Sequence, residues 1–315
     1  MRAITYSRFG GPDVLELTDL PTPKVGPDSV LVRVRATSVN PVDWKIRQGH
    51  LAEVMDTVFP VVPGWDVAGV VEQVGLDTPE FQVGDEVFGY VRKDLVGGEV
   101  AGGTFADLVV APVRTLAHKP AGWSFEEAAA VPLAGLTAYQ TIRRAGVQSG
   151  HTVLVHAAAG GVGSFAVQIA KSLGARVIGT ASESNHDYLR SLGAEPTTYG
   201  DGLADRVREL APDGVDVVLD YVGGDAIDSV PDVLRDGGTV ASIIDARARD
   251  EFGGEYVWVR PDAADLAELG RLGDAGDLKP EIAEVFDLPD ASAAHERSQS
   301  GHVRGKIVVR VSAEA

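Results

Sequence analysis

The sequence contains no cysteine. That absence removes disulfides, thiol nucleophiles, iron–sulfur clusters and every zinc site built on thiolates. Basic residues are scarce too: 28 Lys and Arg stand against 46 Asp and Glu, a formal charge of −18. A surface of that sign repels phosphate backbones and anionic lipid, so neither nucleic acid nor a membrane surface is expected as a partner. Long apolar helices are missing as well. The uncharged stretch from His151 to Ala170 is long enough to span a bilayer, but Gly160, Gly161 and Gly163 interrupt it and it opens with the run Thr152 to Val155. Strand, loop and helix fit it better than one helix. The first residues, MRAITYSRFGGPDVLEL, hold no continuous apolar segment of the signal-peptide kind, and a cytoplasmic protein is expected.

What is present is an ordinary globular composition, 44% hydrophobic and 23% charged over 315 residues, enough for two domains with a core each. Up to about residue 120 the chain reads as short strands: Arg2 to Tyr6, Val14 to Leu20, VLVRVRATSV, VAGVVEQVG, DEVFGY and TFADLVV, with Gly and Pro at the corners. This predicts a barrel-like antiparallel module. After Pro120 helical stretches alternate with short apolar runs (TVLVHAA, ARVIGTAS, VDVVLDYVGG, TVASII), which predicts right-handed crossovers and a doubly wound parallel sheet. The fold class is therefore α/β, with KIVVRV near the end able to pair back into the first module.

The segment richest in chemistry is HAAAGGVGSFAVQIAKSLGARVIGTAS. Thr152 to His156 reads as a buried strand, and Val162, Phe165, Ile169 and Leu173 recur at helical spacing beyond the glycines. A helix that starts at a glycine turn presents free N–H groups and a positive dipole end to a pyrophosphate. Ala158, Gly160 and Gly163 form an A-x-G-x-x-G variant of the dinucleotide fingerprint, with Gly161 and Val162 inside it. At the tip of the next strand a carboxylate would select NADH, whereas Ser182 stands there, with Asn185 and Tyr199 within reach. NADPH is the expected cofactor. GHVRGKI near the end lacks the spacing and the Ser or Thr of a phosphate loop, and no G-x-S-x-G elbow occurs.

With these residues placed, the chain resembles a zinc-free medium-chain dehydrogenase/reductase of the NADPH:quinone oxidoreductase branch. The matching segments are SVNPVDWKIRQG, PVVPGWDVAGVVEQVG, VGDEVFG, GGTFADLVV, AAAVPLAGLTAY, the glycine segment, VLDYVGG and GHVRGKIVV. The resemblance implies a GroES-like catalytic domain from residues 1–122 and 260–315, a Rossmann domain from 123–259, a cofactor between them and a homodimer, which an exposed strand near Thr239 to Ile244 or in EYVWVR would pair. It implies no metal: Asn40 and Gly64-Trp65-Asp66 occupy the positions of the zinc ligands in the metal-dependent branch. Asn40, Asp43, Lys45 and Trp65 become the candidate catalytic set, with Asn40 holding the acceptor carbonyl, Lys45 stabilising charge on it and Trp65 walling a planar substrate. Thr137 and Val222 join the cofactor set. The enoyl reductases carry a proton-donating tyrosine after the glycine of RQG, and here His50 and Leu51 follow Gly49. The expected reaction is hydride transfer from NADPH to a small-molecule quinone. The alternatives are an activated alkene as acceptor, or a nucleotide-binding redox sensor without turnover.

Overall fold

The computed structural model describes residues 1–94, 96–97 and 102–312. They form two compact units. The first takes in Met1–Leu133, Arg260–Asp274 and the chain from Pro280 onward; the second takes in Ala134–Val259 and Ala275–Lys279.

In chain order the elements are β1 (Arg2–Thr5), β2 (Glu16–Asp19), β3 (Ser29–Val39), α1 (Pro41–Arg47), β4 (Thr57–Val58), β5 (Asp66–Val74), β6 (Glu86–Tyr90), β7 (Val96–Gly97), β8 (Leu108–Pro112), β9 (Leu116–His118), α2 (Phe125–Ala130) and α3 (Pro132–Arg144). Next are β10 (Thr152–Val155), α4 (Gly161–Ser172), β11 (Arg176–Thr180), α5 (His186–Ser191), β12 (Glu195–Thr197), α6 (Leu203–Leu210), β13 (Val215–Asp220), α7 (Asp225–Asp228), α8 (Val230–Val233), β14 (Leu234–Ser242), α9 (Arg247–Asp250) and β15 (Glu255–Tyr256). Last come α10 (Ala263–Asp274), β16 (Ile282–Asp287), α11 (Ala291–Gln299) and β17 (Lys306–Arg310).

The first unit is organised around β3, which pairs antiparallel with β17, β5 and β8. The sheet runs β16-β17-β3-β5-β6-β9. Because β3 has neighbours on both edges, nearly all its side chains are buried, and its β-branched residues suit that pleated surface. Val30, Val32 and Val34 meet Val67, Val71, Val109, Ile307 and Val309 in one core. Each such side chain contributes about 1.5 to 3 kcal/mol relative to exposure. Helix α2 packs on β3, β5 and β17, so the unit continues past the expected boundary at residue 122 to Leu133. Residues 275–279 depart from expectation in the other direction. The Gln168 amide on α4 donates to the Lys279 carbonyl at 3.1 Å and accepts from its N–H at 2.8 Å, which ties that short segment to the second unit.

The second unit is a sheet ordered β12-β11-β10-β13-β14-β15, parallel at every pairing. The chain works outward from β10 in one direction and then returns to start again at β13. That reversal opens a crevice beyond the carboxyl ends of β10 and β13, the place where doubly wound sheets bind ligands. Strand β14 pairs with β13 on one side and, at Ala241 and Ser242, with β15 on the other, so β15 forms one edge of the sheet and β12 the other. Among the described residues no helix is long and apolar enough to cross a membrane.

Candidate active site

In the second unit, β10 ends at Val155 and the chain turns sharply. Ala157 takes the left-handed conformation (φ 52), and neither Gly160, Gly161 nor Gly163 has a positive φ. The turn is fastened to β11: Ala158 N–H donates to the Thr180 carbonyl at 2.9 Å and Ala157 N–H to Thr180 Oγ1 at 3.2 Å. Gly163 therefore acts through a missing Cβ and not through backbone handedness. A Cβ on Gly163 would stand 2.2 Å from the Ala157 carbonyl oxygen and 2.7 Å from Ala158 Cα. Gly160 is the extended N-cap of α4 and brings no side chain to the helix end. The first N–H groups of α4 have no intrahelical acceptor, so this bare terminus suits a pyrophosphate.

Across the switch point, β13 ends in Asp220, which is fully buried. One carboxylate oxygen accepts from Val222 N–H (3.0 Å) and Gly223 N–H (2.8 Å), the other from Ser242 Oγ (2.7 Å). This holds the turn so that Val222 is 54% exposed. His156, also buried, has no partner for Nε2, and desolvation lowers its pKa to about 4 against the pull of Asp220, so the ring is neutral. At the tip of β11, Asn185 Nδ2 donates to Ser182 Oγ at 3.0 Å; exposed Tyr199 follows β12. Thr137 is buried within α3, its carbonyl accepting from Thr141 Oγ1 at 2.6 Å.

The first unit gathers a buried polar cluster where β3 passes into α1. Asn40 is the N-cap of α1, extended at φ −119, with Pro41 opening the helix. Its backbone N–H donates to Asp43 Oδ2 at 2.7 Å, the reciprocal contact that an N-x-x-D spacing permits. Asn40 is 1% exposed, and its carboxamide has two partners: Nδ2 donates to Asp66 Oδ2 at 2.7 Å, and Oδ1 accepts from Lys306 Nζ. Ser38 Oγ donates to the same Asp66 oxygen at 2.6 Å, while Leu133 N–H, at the start of α3, donates to the other at 2.8 Å. Lys306 Nζ also donates to the Val39 carbonyl at 3.2 Å and lies 4.0 Å from Asp66 Oδ2.

Burial raises the Asp66 pKa and lowers that of Lys306, each opposed by the charge of the other. Three donors converge on the Asp66 carboxylate, which favours the ionised pair. Asp43 has no such cation in contact. Desolvation raises its pKa to about 7, with the Asn40 N–H pulling it down and the Asp66 charge pushing it up. The folded state thus holds this proton more tightly than the unfolded chain, so the group costs nothing below about pH 4. Its cost grows as pH rises to 7 and is then constant, at up to about 4 kcal/mol. Asp43→Asn, whose amide oxygen can still accept the Asn40 N–H, should be near neutral at pH 4.5 and clearly stabilising at pH 8. Urea midpoints at the two pH values check this, and an equal change at both would refute it.

Lys45 and Trp65 lie outside this cluster's hydrogen bonds. The Lys45 ammonium sits over the Trp44 ring, 5.7 Å from its centroid, and Trp65 packs inward against Tyr90 edge to face, centroids 6.0 Å apart. His50 is exposed. Ser38, Asp66 and Lys306 were not singled out by the sequence as site residues. Asp66 stood out only as a position that is not a zinc ligand, and Lys306 only as the lysine of a failed phosphate loop. Among the described residues no group of three or more His, Cys, Asp or Glu is placed to hold a metal ion.

Two family models match the chain. The alcohol dehydrogenase GroES-like domain family matches residues 26–121 and the zinc-binding dehydrogenase family residues 192–309. A 2-methylene-furan-3-one reductase of Solanum lycopersicum is 38% identical over 78% of this chain and 63% of its own length, so this chain spans less than two thirds of that relative. A chloroplastic NADPH-dependent alkenal/one oxidoreductase of Arabidopsis thaliana is 35% identical over 98% of this chain and 79% of its own. Among solved structures, a quinone oxidoreductase of Coxiella burnetii superposes with a TM-score of 0.84 at 35% identity, covering 99% of each chain.

Proposed function

The chain belongs to the medium-chain dehydrogenase/reductase family, and on that premise we propose that it transfers hydride from NADPH to a quinone. The observation that carries this reading is the bare N-terminus of α4 at the switch point of a parallel sheet, where a Cβ on Gly163 would close the turn. The N–H groups of Gly161, Val162 and Gly163 would hold the pyrophosphate. Ser182 and Asn185 place a hydroxyl and an amide where a carboxylate would repel a 2′-phosphate, which favours NADPH over NADH. Tyr199, Thr137, Ala158 and Val222 complete the cofactor set. When bound, NADPH supplies the hydride; binding and orientation fall to the chain.

On the acceptor side, Asn40 retains one carboxamide hydrogen beyond the one given to Asp66, and that hydrogen is the donor offered to the acceptor oxygen. Asp43 fixes the helix start from which it is offered. A quinone accepts hydride without Lewis-acid activation, and its reduced oxygens take protons readily from water. A second reading, reduction of an activated alkene, is favoured by the names of the tomato and Arabidopsis relatives.

Steady-state oxidation of NADPH and NADH with benzoquinone-type and enone acceptors tests the proposal. NADPH is expected to outpace NADH, hydroquinone to be the product, and Asn40→Ala to lower kcat/KM by about 100-fold, more than Lys45→Ala does. Turnover of enones alone would move the assignment to alkene reduction. No turnover of either acceptor, with NADPH still bound, would leave a nucleotide-binding sensor.

A further inference from the structure

We propose that Lys306 is a positioning residue of the acceptor site: with Asp66 it forms a clamp that decides which end of the Asn40 carboxamide is the donor. The inference rests on reading Asn40 as the group that meets the acceptor oxygen.

An asparagine carboxamide can be turned end for end at almost no change in shape, so packing alone does not orient it. Here the neighbours leave one choice. An ammonium can only donate, and a carboxylate carrying three donors can only accept. Oδ1 must therefore face Lys306 Nζ and Nδ2 must face Asp66 Oδ2, as they do. In the reversed orientation an N–H would meet a cation and a carbonyl oxygen an anion, turning two charge-assisted contacts into two repulsions. The clamp is itself tied down. Lys306 is held by the Val39 carbonyl, and Asp66 by Ser38 Oγ and the Leu133 N–H, all of them buried or at the start of α3. The remaining Nδ2 hydrogen consequently keeps one direction, a donor prepared before the acceptor arrives. Removing the ammonium while leaving Asn40 in place frees the carboxamide to turn and to present an oxygen to the acceptor oxygen. No other role in the acceptor site is required of Lys306.

The sequence holds two asparagines, Asn40 and Asn185, so selective ¹⁵N-asparagine labelling yields two side-chain amide pairs. The pair that vanishes in Asn40→Ala is that of Asn40. In the wild type its two protons should exchange slowly with solvent and lie far from random-coil shifts, because one is bonded to Asp66; in Lys306→Met exchange should become fast and both shifts should move toward those of a freely turning carboxamide. In parallel, Lys306→Met should lower kcat for the quinone by about 10- to 100-fold and leave the KM for NADPH within about twofold. In an Asn40→Ala background the same change should have no further effect on kcat, because the residue it orients is gone. Lys306→Gln, whose neutral amide can still donate to Oδ1, should retain part of both properties, and it carries both measurements if the Met variant does not fold. An unchanged Asn40 amide pair, or losses in kcat that simply add in the double variant, would overturn the proposal. If the wild type turns over neither quinone nor enone, the functional reading falls on its own, and the amide signals still judge the clamp.

Discussion

Gly163→Val is expected to raise the dissociation constant for NADPH by about 100-fold or more while the first unit stays folded. The reason lies in what the new side chain meets. Its Cβ would stand 2.2 Å from the Ala157 carbonyl oxygen and 2.7 Å from Ala158 Cα, both backbone atoms that no change of rotamer can move. The first turn of α4 must then shift away from β10, and its N–H groups shift with it. Charge-assisted hydrogen bonds contribute about 1.5 to 3 kcal/mol each, so misplacing even one or two accounts for a 100-fold loss. Gly160→Ala is the control. There the nearest atom to a Cβ is the Ala157 oxygen at 3.2 Å, which asks for a shift of a few tenths of an ångström, and affinity should change only severalfold. Fluorescence titration with NADPH gives both constants. A folded Gly163→Val protein with wild-type affinity would place the cofactor elsewhere.

The second large effect concerns stability. Asp66→Ala should destabilise the first unit by about 3 to 5 kcal/mol, because it strands the buried ammonium of Lys306 and leaves Ser38, Asn40 and Leu133 N–H without their acceptor. Removing both charges should cost much less than removing one, so Asp66→Ala with Lys306→Met is expected to recover a large part of the loss. Trp44, Trp65 and Trp123 lie in the first unit and Trp258 in the second, so tryptophan fluorescence during denaturation reports mainly on the unit that carries the pair. Equal losses for the single and double variants would show that the charges do not depend on each other.

These two sites differ in how far they could be read from the sequence. The nucleotide turn was legible because its parts are neighbours in the chain: strand, glycines and amphipathic helix succeed one another within the run from Thr152 to Leu173. From the sequence the glycines read as allowing a tight turn and close backbone approach; the close approach holds at Gly163, while the left-handed residue of the turn is Ala157. In the acceptor cluster, Asn40 and Asp43 were reached through the resemblance, as members of one short segment of the chain. Lys306 was not, because its partners Asn40 and Asp66 come from distant segments and nothing in K-I-V-V-R marks its first residue as a buried charge. The boundary near residue 122 shifted for a related reason. An apolar helix such as α2 shows that it must be covered, but not which sheet covers it.

The place of β17 between β16 and β3 bears on how the protein is made. Synthesis delivers β10 to β15 as a nearly continuous stretch, so the nucleotide sheet can close while the ribosome is still translating the C-terminal segment. The first unit has no such opportunity. Its long central strand β3 leaves the exit tunnel early, yet the partner that covers one of its edges, and the ammonium that Asn40 and Asp66 require, are made only after the entire intervening unit. During that interval the edge of β3 that β17 covers is open and Asp66 lacks its cation, and the acceptor site is completed only once β17 has been made.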